Sequence, residues 1–135
     1  MNNNDRILLV SDDEALRWPY LQSLASISRN VEFVSDGNEA LDAVEEGFFD
    51  VVLLDIRTPG PDGATILRKI KQRSPDSEVV VITSCPTIAG AKEAVRLGAY
   101  DYVARPLAPD DMITLSGAAL THKRWALHAE HRPSH

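Results

Sequence analysis

The sequence predicts an α/β fold, a doubly wound sheet of five parallel strands with helices on both faces. Three observations carry this. Five apolar runs alternate with five amphipathic stretches along 135 residues, the pattern of repeated strand–helix units. Each run is short and nearly continuous in apolar character, as strands buried on both faces are. The chain is 44% hydrophobic and 25% charged, the balance of a globular domain, and at its length one domain with one real core is expected.

The first strand is RILLVS, residues 6–11. A helix from Glu14 to Ser28 follows, with Pro19 well inside it. Proline removes a hydrogen bond and disfavours a helical Trp18, so a kink or a delayed start is expected, with Trp18 packed as a cap on the core. VEFVS (31–35) is the second strand, after which Leu41, Val44 and Phe48 share a helical face that stops at Gly47 or just beyond. DVVLLD (50–55) is the third strand. Ile66, Leu67 and Ile70 mark the face of the third helix, which ends before Ser74-Pro75.

EVVVIT (78–83) is the fourth strand, and Ile88, Ala91 and Val95 line the helix after it, closed by Gly98. YDYVA (100–104) is the fifth strand. The last helix opens with Pro109, Asp110 and Asp111, a proline and two acids suited to a first turn. Carried to about Arg132 it spans roughly 23 residues, or ~35 Å, long for a helix that only covers a sheet. Leu120, Trp125 and Leu127 make it a docking or dimerising element, or else a covering helix with a frayed end.

Charge and cysteine content narrow the function classes. The net charge is −6, yet residues 121–135 carry +2, leaving −8 on residues 1–120. An acidic body argues against direct nucleic-acid binding. Cys85 is the single cysteine, so an internal disulfide framework and a cysteine zinc site are excluded. No apolar run approaches the ~20 residues of a membrane span, and MNNNDR lacks the features of a signal peptide, so membrane insertion is not expected and the cytoplasm is the expected compartment. The histidines, at 122, 128, 131 and 135, all lie in the tail. His128 and His131 have i, i+3 spacing, but no acidic or cysteine ligand completes a metal set, and a solvated face is the expected reading.

The residues at the strand exits carry the chemistry. In open α/β sheets, ligands bind beyond the carboxyl ends of the strands. Asp12, Asp13 and Glu14 follow the first strand, Asp55 ends the third, Thr83 and Ser84 end the fourth, and Arg105 follows the fifth. Each alone reads as ordinary cap, turn or strand chemistry. Asp55 is the most pointed: an apolar strand ends on one carboxylate and passes straight into a turn built from Pro59, Gly60, Pro61 and Gly63. An isolated buried charge is costly, so a strand that presents one calls for a reason.

The segments ILLVSDDE (7–14), VVLLDIRTPGPDG (51–63), VVVITS (79–84) and LGAYDYVARPL (97–107) together resemble the receiver domains of two-component response regulators. The resemblance covers residues 5 to about 120, with 121–135 as an extension of the last helix and tail. It implies the flavodoxin-like order 2-1-3-4-5, in which strands 1 and 3 are neighbours at the switch point. It implies that Asp55 accepts a phosphoryl group from a sensor histidine kinase or a histidine phosphotransfer protein. It implies Mg²⁺ held by Asp12, Asp13, Asp55 and the backbone carbonyl of Arg57, a hard cation that relieves the repulsion of clustered carboxylates. Thr83, with Ser84 beside it, then matches the switch hydroxyl, and Tyr102 the switch aromatic that turns into the space Thr83 leaves. Output then passes to an unidentified downstream protein through the surface of helix 4, strand 5 and helix 5, the same surface offering a route to a homodimer.

One position departs from the family pattern: Arg105 stands before Pro106 where the pattern has Lys. A planar guanidinium is a poor geometric copy of an ammonium, so weakened or retuned switching is expected. The resemblance also implies a cis Arg105-Pro106 bond. Arg57 and Cys85 occupy positions that tune kinetics in the family: Arg57 aids docking of the phosphodonor or is a solvated turn residue, and Cys85 is a small filler. The chain is expected to act without catalysing turnover of another substrate. Its rivals are a pseudo-receiver, binding partners without phospho-switching, and a haloacid-dehalogenase-like phosphatase. The latter needs a second Asp two residues after the nucleophile, where this chain has Arg57.

Overall fold

In the computed structural model, which describes residues 4–56, 63–105 and 107–130, strands and helices alternate from end to end. The order is β1 (Arg6–Val10), α1 (Glu14–Ala25), β2 (Asn30–Val34), α2 (Gly37–Glu46), β3 (Val51–Ile56), α3 (Gly63–Arg73), β4 (Glu78–Thr83), α4 (Ile88–Arg96), β5 (Asp101–Ala104) and α5 (Asp111–Glu130). The strands pair in parallel as β2-β1-β3-β4-β5, the expected flavodoxin-like arrangement. No helix among the described residues is long and apolar enough to cross a membrane.

Alternation along the central strands sends side chains to two separate cores, as a pleated strand of period two requires. Leu8, Val52, Leu54 and Val81 face α2, α3 and α4, where they meet Leu41, Ile66, Leu67 and Ala94. Ile7, Leu9, Leu53 and Ile82 face the other way and meet Tyr20 and Leu24 of α1 and Met112 and Leu120 of α5. Both faces of β1, β3 and β4 are thus dry, which is why these strands read as unbroken apolar runs.

Local signals set the helix ends. The Asp13 side chain caps α1 by accepting from the Ala15 N–H at 3.1 Å. Asp36 caps α2 by accepting from Glu39 N–H at 2.9 Å, and Glu39 reaches back to the Ser35 N–H at 2.8 Å, a reciprocal arrangement of the capping-box kind. At the end of α4, Gly98 adopts φ +95, its N–H reaches the Val95 carbonyl and the Ala99 N–H reaches that of Ala94. Those two bonds define a Schellman ending, whose left-handed residue glycine supplies without strain.

The structure corrects several expectations. Helix α1 starts at Glu14 and runs through Pro19 without a delayed start. Its buried face is set by Tyr20 and Leu24, and Trp18 lies two residues off that stripe, 67% exposed, so it does not cap the core. Phe48 falls beyond the end of α2 and is exposed, while Phe49 is buried in its place. In α4 the inward residue is Ala94, and Ile88 and Val95 are 78% and 69% exposed. Helix α5 begins at Asp111 rather than Pro109: residues 108–111 form a tight turn in which Asp111 accepts from the Ala108 N–H at 2.7 Å. Leu120 is buried in the α1/α5 core and is not available for docking. The side chains of Trp125, Leu127 and His128, and residues His131 and His135, lie outside the described residues.

Candidate functional site

The register of the sheet assembles the site before any side chain is considered. Val10 pairs with Leu54 and Ile56 with Thr83. The next residue of β1, Ser11, therefore stands beside Asp55, and β5 extends one residue further when the Arg105 N–H reaches the Thr83 carbonyl at 2.9 Å. Four strand exits, those of β1, β3, β4 and β5, thus meet at one edge, with the start of α1 beside them.

Asp55 is the one buried acidic residue among those described, its side chain 1% exposed. Both of its oxygens are engaged. The Ser11 hydroxyl donates to Oδ2 at 2.9 Å, and Arg105 Nε donates to Oδ1 at 2.7 Å. Arg105 Nη2 also touches Oδ1, so two nitrogens of the guanidinium meet one carboxylate oxygen. Arg105 Nη1 lies 3.8 Å from Asp13 Oδ2, so the guanidinium spans the two carboxylates. Ser11 Oγ in turn accepts from the Asp13 N–H at 3.2 Å. A buried carboxylate is tolerable only when paired and hydrogen-bonded, and Ser11 and Arg105 supply both conditions.

Tyr20 closes the site from α1. Its hydroxyl donates to the Leu107 carbonyl at 3.3 Å. Burial pushes its ionisation above the ordinary tyrosine value, and the charge of Asp55 pushes it further, followed by those of Asp13 and Asp111, with Arg105 opposing.

The expected switch pair lies on the other face of the sheet. Asp55 shares a side with Leu53 and the α1/α5 core, whereas Thr83 follows the parity of Val81 toward α3 and α4. Thr83 Oγ1 accepts from the Cys85 N–H at 3.1 Å, closing a turn. Tyr102 lies against the α4 face, its hydroxyl accepting from the Thr87 N–H at 3.4 Å. Thr87 Oγ1 accepts from the Gly90 N–H at 2.9 Å and so caps α4. Gly63, Ala64, Leu67, Thr83 and Tyr102 border a cleft of about 170 Å³. Ser84 and Cys85 are exposed on the loop between β4 and α4.

The expected acidic set is placed less tightly than its sequence spacing suggests. Asp12 is exposed at the end of β1, Asp13 is committed to the α1 cap and to Arg105, and among the described residues no three acidic, histidine or cysteine side chains converge to hold a metal. Their hard oxygen donors still suit Mg²⁺. Arg57 and Pro106 lie outside the described residues, and with them the carbonyl ligand and the cis bond.

Ser11 was not among the residues singled out by sequence. The signal for it was positional: it is the first polar residue after β1, one step past the residue paired with Leu54. His122 is not simply solvated either, since its Nδ1 lies 3.2 Å from Glu78 Oε2 and its ring packs on Tyr100 with centroids 4.9 Å apart.

Comparison with known proteins gives the geometry a family. The model of the response regulator receiver domain matches residues 7–116. The chain is 36% identical over 114 residues to the DNA-binding transcriptional regulator NtrC of Klebsiella pneumoniae, covering 84% of this chain and 24% of that protein. It is 33% identical to the C4-dicarboxylate transport transcriptional regulatory protein DctD of Rhizobium meliloti, covering 87% and 26%. The chain thus spans about a quarter of the length of these relatives. Among solved structures, a CheY-like response regulator receiver domain protein from Methanospirillum hungatei superposes with a TM-score of 0.84 at 26% identity, covering 90% of this chain and 98% of that one.

Proposed function

The chain belongs to the response regulator receiver domain family, and from that membership we propose that it is a phospho-aspartate switch whose acceptor is Asp55. The observation that supports this most is the burial of a single carboxylate at the strand-exit edge, with a hydroxyl and a guanidinium both aimed at it. A carboxylate in that setting is held in one orientation and shielded from water.

The reaction is transfer of a phosphoryl group from a phosphohistidine of a sensor histidine kinase or histidine phosphotransfer protein. An Asp55 oxygen attacks phosphorus, the P–N bond breaks, and the imidazole leaves with the electron pair and takes up a proton. Little covalent chemistry is asked of the protein, so positioning and charge neutralisation dominate. Asp12, Asp13, Asp55 and the Arg57 carbonyl would hold Mg²⁺. Bound there, the ion would neutralise charge on the transferring group. Ser11 orients the carboxylate through Oδ2, and the Arg105 guanidinium beside Asp55 supplies positive charge and donors for a phosphoryl oxygen.

The readout is carried by the opposite face of the sheet. Thr83 and Tyr102 would translate the new charge on Asp55 into movement of the α4 start, to which the Tyr102 hydroxyl is already bonded through Thr87. Ile88 and Val95, exposed on α4, would then be offered to a downstream protein or to a second copy of the chain.

A second reading, a pseudo-receiver that binds partners without phosphorylation, is favoured by the full engagement of both Asp55 oxygens. Mass spectrometry after incubation with acetyl phosphate separates the two. A Mg²⁺-dependent gain of one phosphoryl group, located on Asp55 and absent in Asp55→Ala, is the expected result. No gain in folded protein, with acetyl phosphate or with a phosphorylated histidine donor, would favour the pseudo-receiver.

A further inference from the structure

We infer that Tyr20 is a positioning residue for the acceptor site: its hydroxyl, together with that of Ser23, ties α1 to the stretch between β5 and α5 and so sets where the residues after β5 stand relative to Asp55. This rests on the reading of Asp55 as the receiver acceptor and goes beyond it by giving two hydroxyls of α1 a part in the reaction.

The tie begins with packing. Tyr20 and Leu24 are the buried residues of α1, four apart and therefore on one face of the helix. They enter the core that holds Leu9, Leu53 and Met112, against which Val103 and Leu107 also pack. Tyr20 is 3% exposed, and a phenol buried so fully needs a partner for its hydroxyl. It finds one in the Leu107 carbonyl at 3.3 Å. Three residues further along α1, the Ser23 hydroxyl donates to Asp110 Oδ1 at 3.1 Å. Helix α1 thus holds the stretch at two points, the nearer one two residues past Arg105 and so within about 7 Å of it along the chain.

What is held in this way bears on the chemistry. The Arg105 N–H is fixed to the Thr83 carbonyl, and the Ala108 N–H and Asp111 carboxylate close a turn of their own. The hydrogen bonds that fasten this turn to α1 are those of Tyr20 and Ser23. Tyr20 also stands within the field of the site: burial raises its ionisation most, and among the charges Asp55 acts on it ahead of Arg105 and Asp13. Phosphoryl transfer depends on positioning and charge neutralisation, and a small displacement of a group that supplies either slows the step out of proportion to its size. Release of the Leu107 carbonyl lets the backbone after Arg105 move, and the guanidinium with it.

The test is the rate of Asp55 labelling by acetyl phosphate in MgCl₂, followed by intact-mass spectrometry in wild type, Tyr20→Phe, Arg105→Gln and the double variant. Phenylalanine keeps the ring and removes only the hydroxyl. Tyr20→Phe should slow labelling at least about threefold, and in metal-free protein it should shift the NMR signals of the Ala108 amide and the Arg105 Nε–H. In the Arg105→Gln background the same substitution should have no further effect on the rate, whereas a merely structural role slows labelling equally in both backgrounds. Ser23→Ala should repeat the pattern from the second point of attachment. Circular dichroism checks that each variant is folded, and if Arg105→Gln is not, the Arg105 signal in Tyr20→Phe decides. A wild-type rate in Tyr20→Phe, an unmoved Arg105 signal, or equal slowing in both backgrounds would overturn the inference and leave Asp55 as the acceptor. No labelling of Asp55 in any of the proteins, with acetyl phosphate or a phosphorylated histidine donor, would remove the receiver reading and the inference with it.

Discussion

The Tyr102 hydroxyl rests against the bare Cα of Gly90, so closely that a Cβ there would lie 2.6 Å from it. The strand aromatic and the first turn of α4 are therefore fitted to one another, and glycine is what permits the fit. Gly90→Ala should shift the NMR signals of the Tyr102 ring and the Thr87 amide. Stability should change by no more than about 1 kcal/mol, since alanine's helix preference offsets a displacement of a side-chain tip. Unmoved Tyr102 and Thr87 signals would show that the contact does not set the position of the ring.

Ser11 should matter out of proportion to its size. Ser11→Ala removes the donor to a buried charged oxygen, and loss of such a bond costs about 1.5–3 kcal/mol. In an Asp55→Asn background the same substitution should cost less, because the charge is gone. Urea unfolding of the four proteins gives the coupling, and additive effects would show that the Ser11 bond gains nothing from the charge of Asp55.

Tyr20 provides a pH signature. Its ionisation lies above the ordinary value in the folded state, chiefly through burial and secondarily through the charge of Asp55. A group whose folded-state pKa is raised contributes stability that is complete below its unfolded value, near pH 10, and is lost as pH rises through the folded value. Tyr20→Phe should therefore flatten the alkaline fall in stability. Asp55→Asn should bring Tyr20 ionisation down toward the ordinary range, which absorbance titration of tyrosinate can follow.

Two adjacent phenylalanines should behave oppositely. Phe49 is 1% exposed within the α2/α3/α4 core, and truncating it to alanine should cost about 3–5 kcal/mol. Phe48 is 43% exposed, with the Lys123 ammonium 4.8 Å from its ring centroid. Its truncation should cost about 1 kcal/mol or less, the range of an exposed cation–π contact. Chemical denaturation of the pair checks the assignment of which ring the core takes.

Much of this was legible in the sequence because strands buried on both faces leave little choice of pattern. The five apolar runs fall within about a residue of the strands, and α3 buries the three residues its spacing named. Helix faces were harder to read where burial falls on small residues. In α4, Ala94 is buried, while the bulkier Ile88 and Val95, which dominate any apolar pattern, point outward. Asp55 and Arg105 stood out by position and type, and the sheet brings them together. Ser11 and the opposite placement of Thr83 could be read only with the register in hand, since moving one residue along a strand changes which face a side chain takes.

The sheet also divides the molecule mechanically. Its two cores share no side chain, and the helices hold to them unequally: α4 contributes one buried residue, Ala94, whereas α5 contributes Met112, Ser116, Ala119 and Leu120. A helix anchored so lightly opens at a free-energy cost below that of global unfolding, while well-packed elements exchange their amides only with the whole. Helix α4 is thus the most lightly anchored of the three helices on its face, where α2 buries Leu41 and Val44 and α3 buries Ile66, Leu67 and Ile70. Opening of α4 alone would leave the α1/α5 core, and with it the surroundings of Asp55, intact.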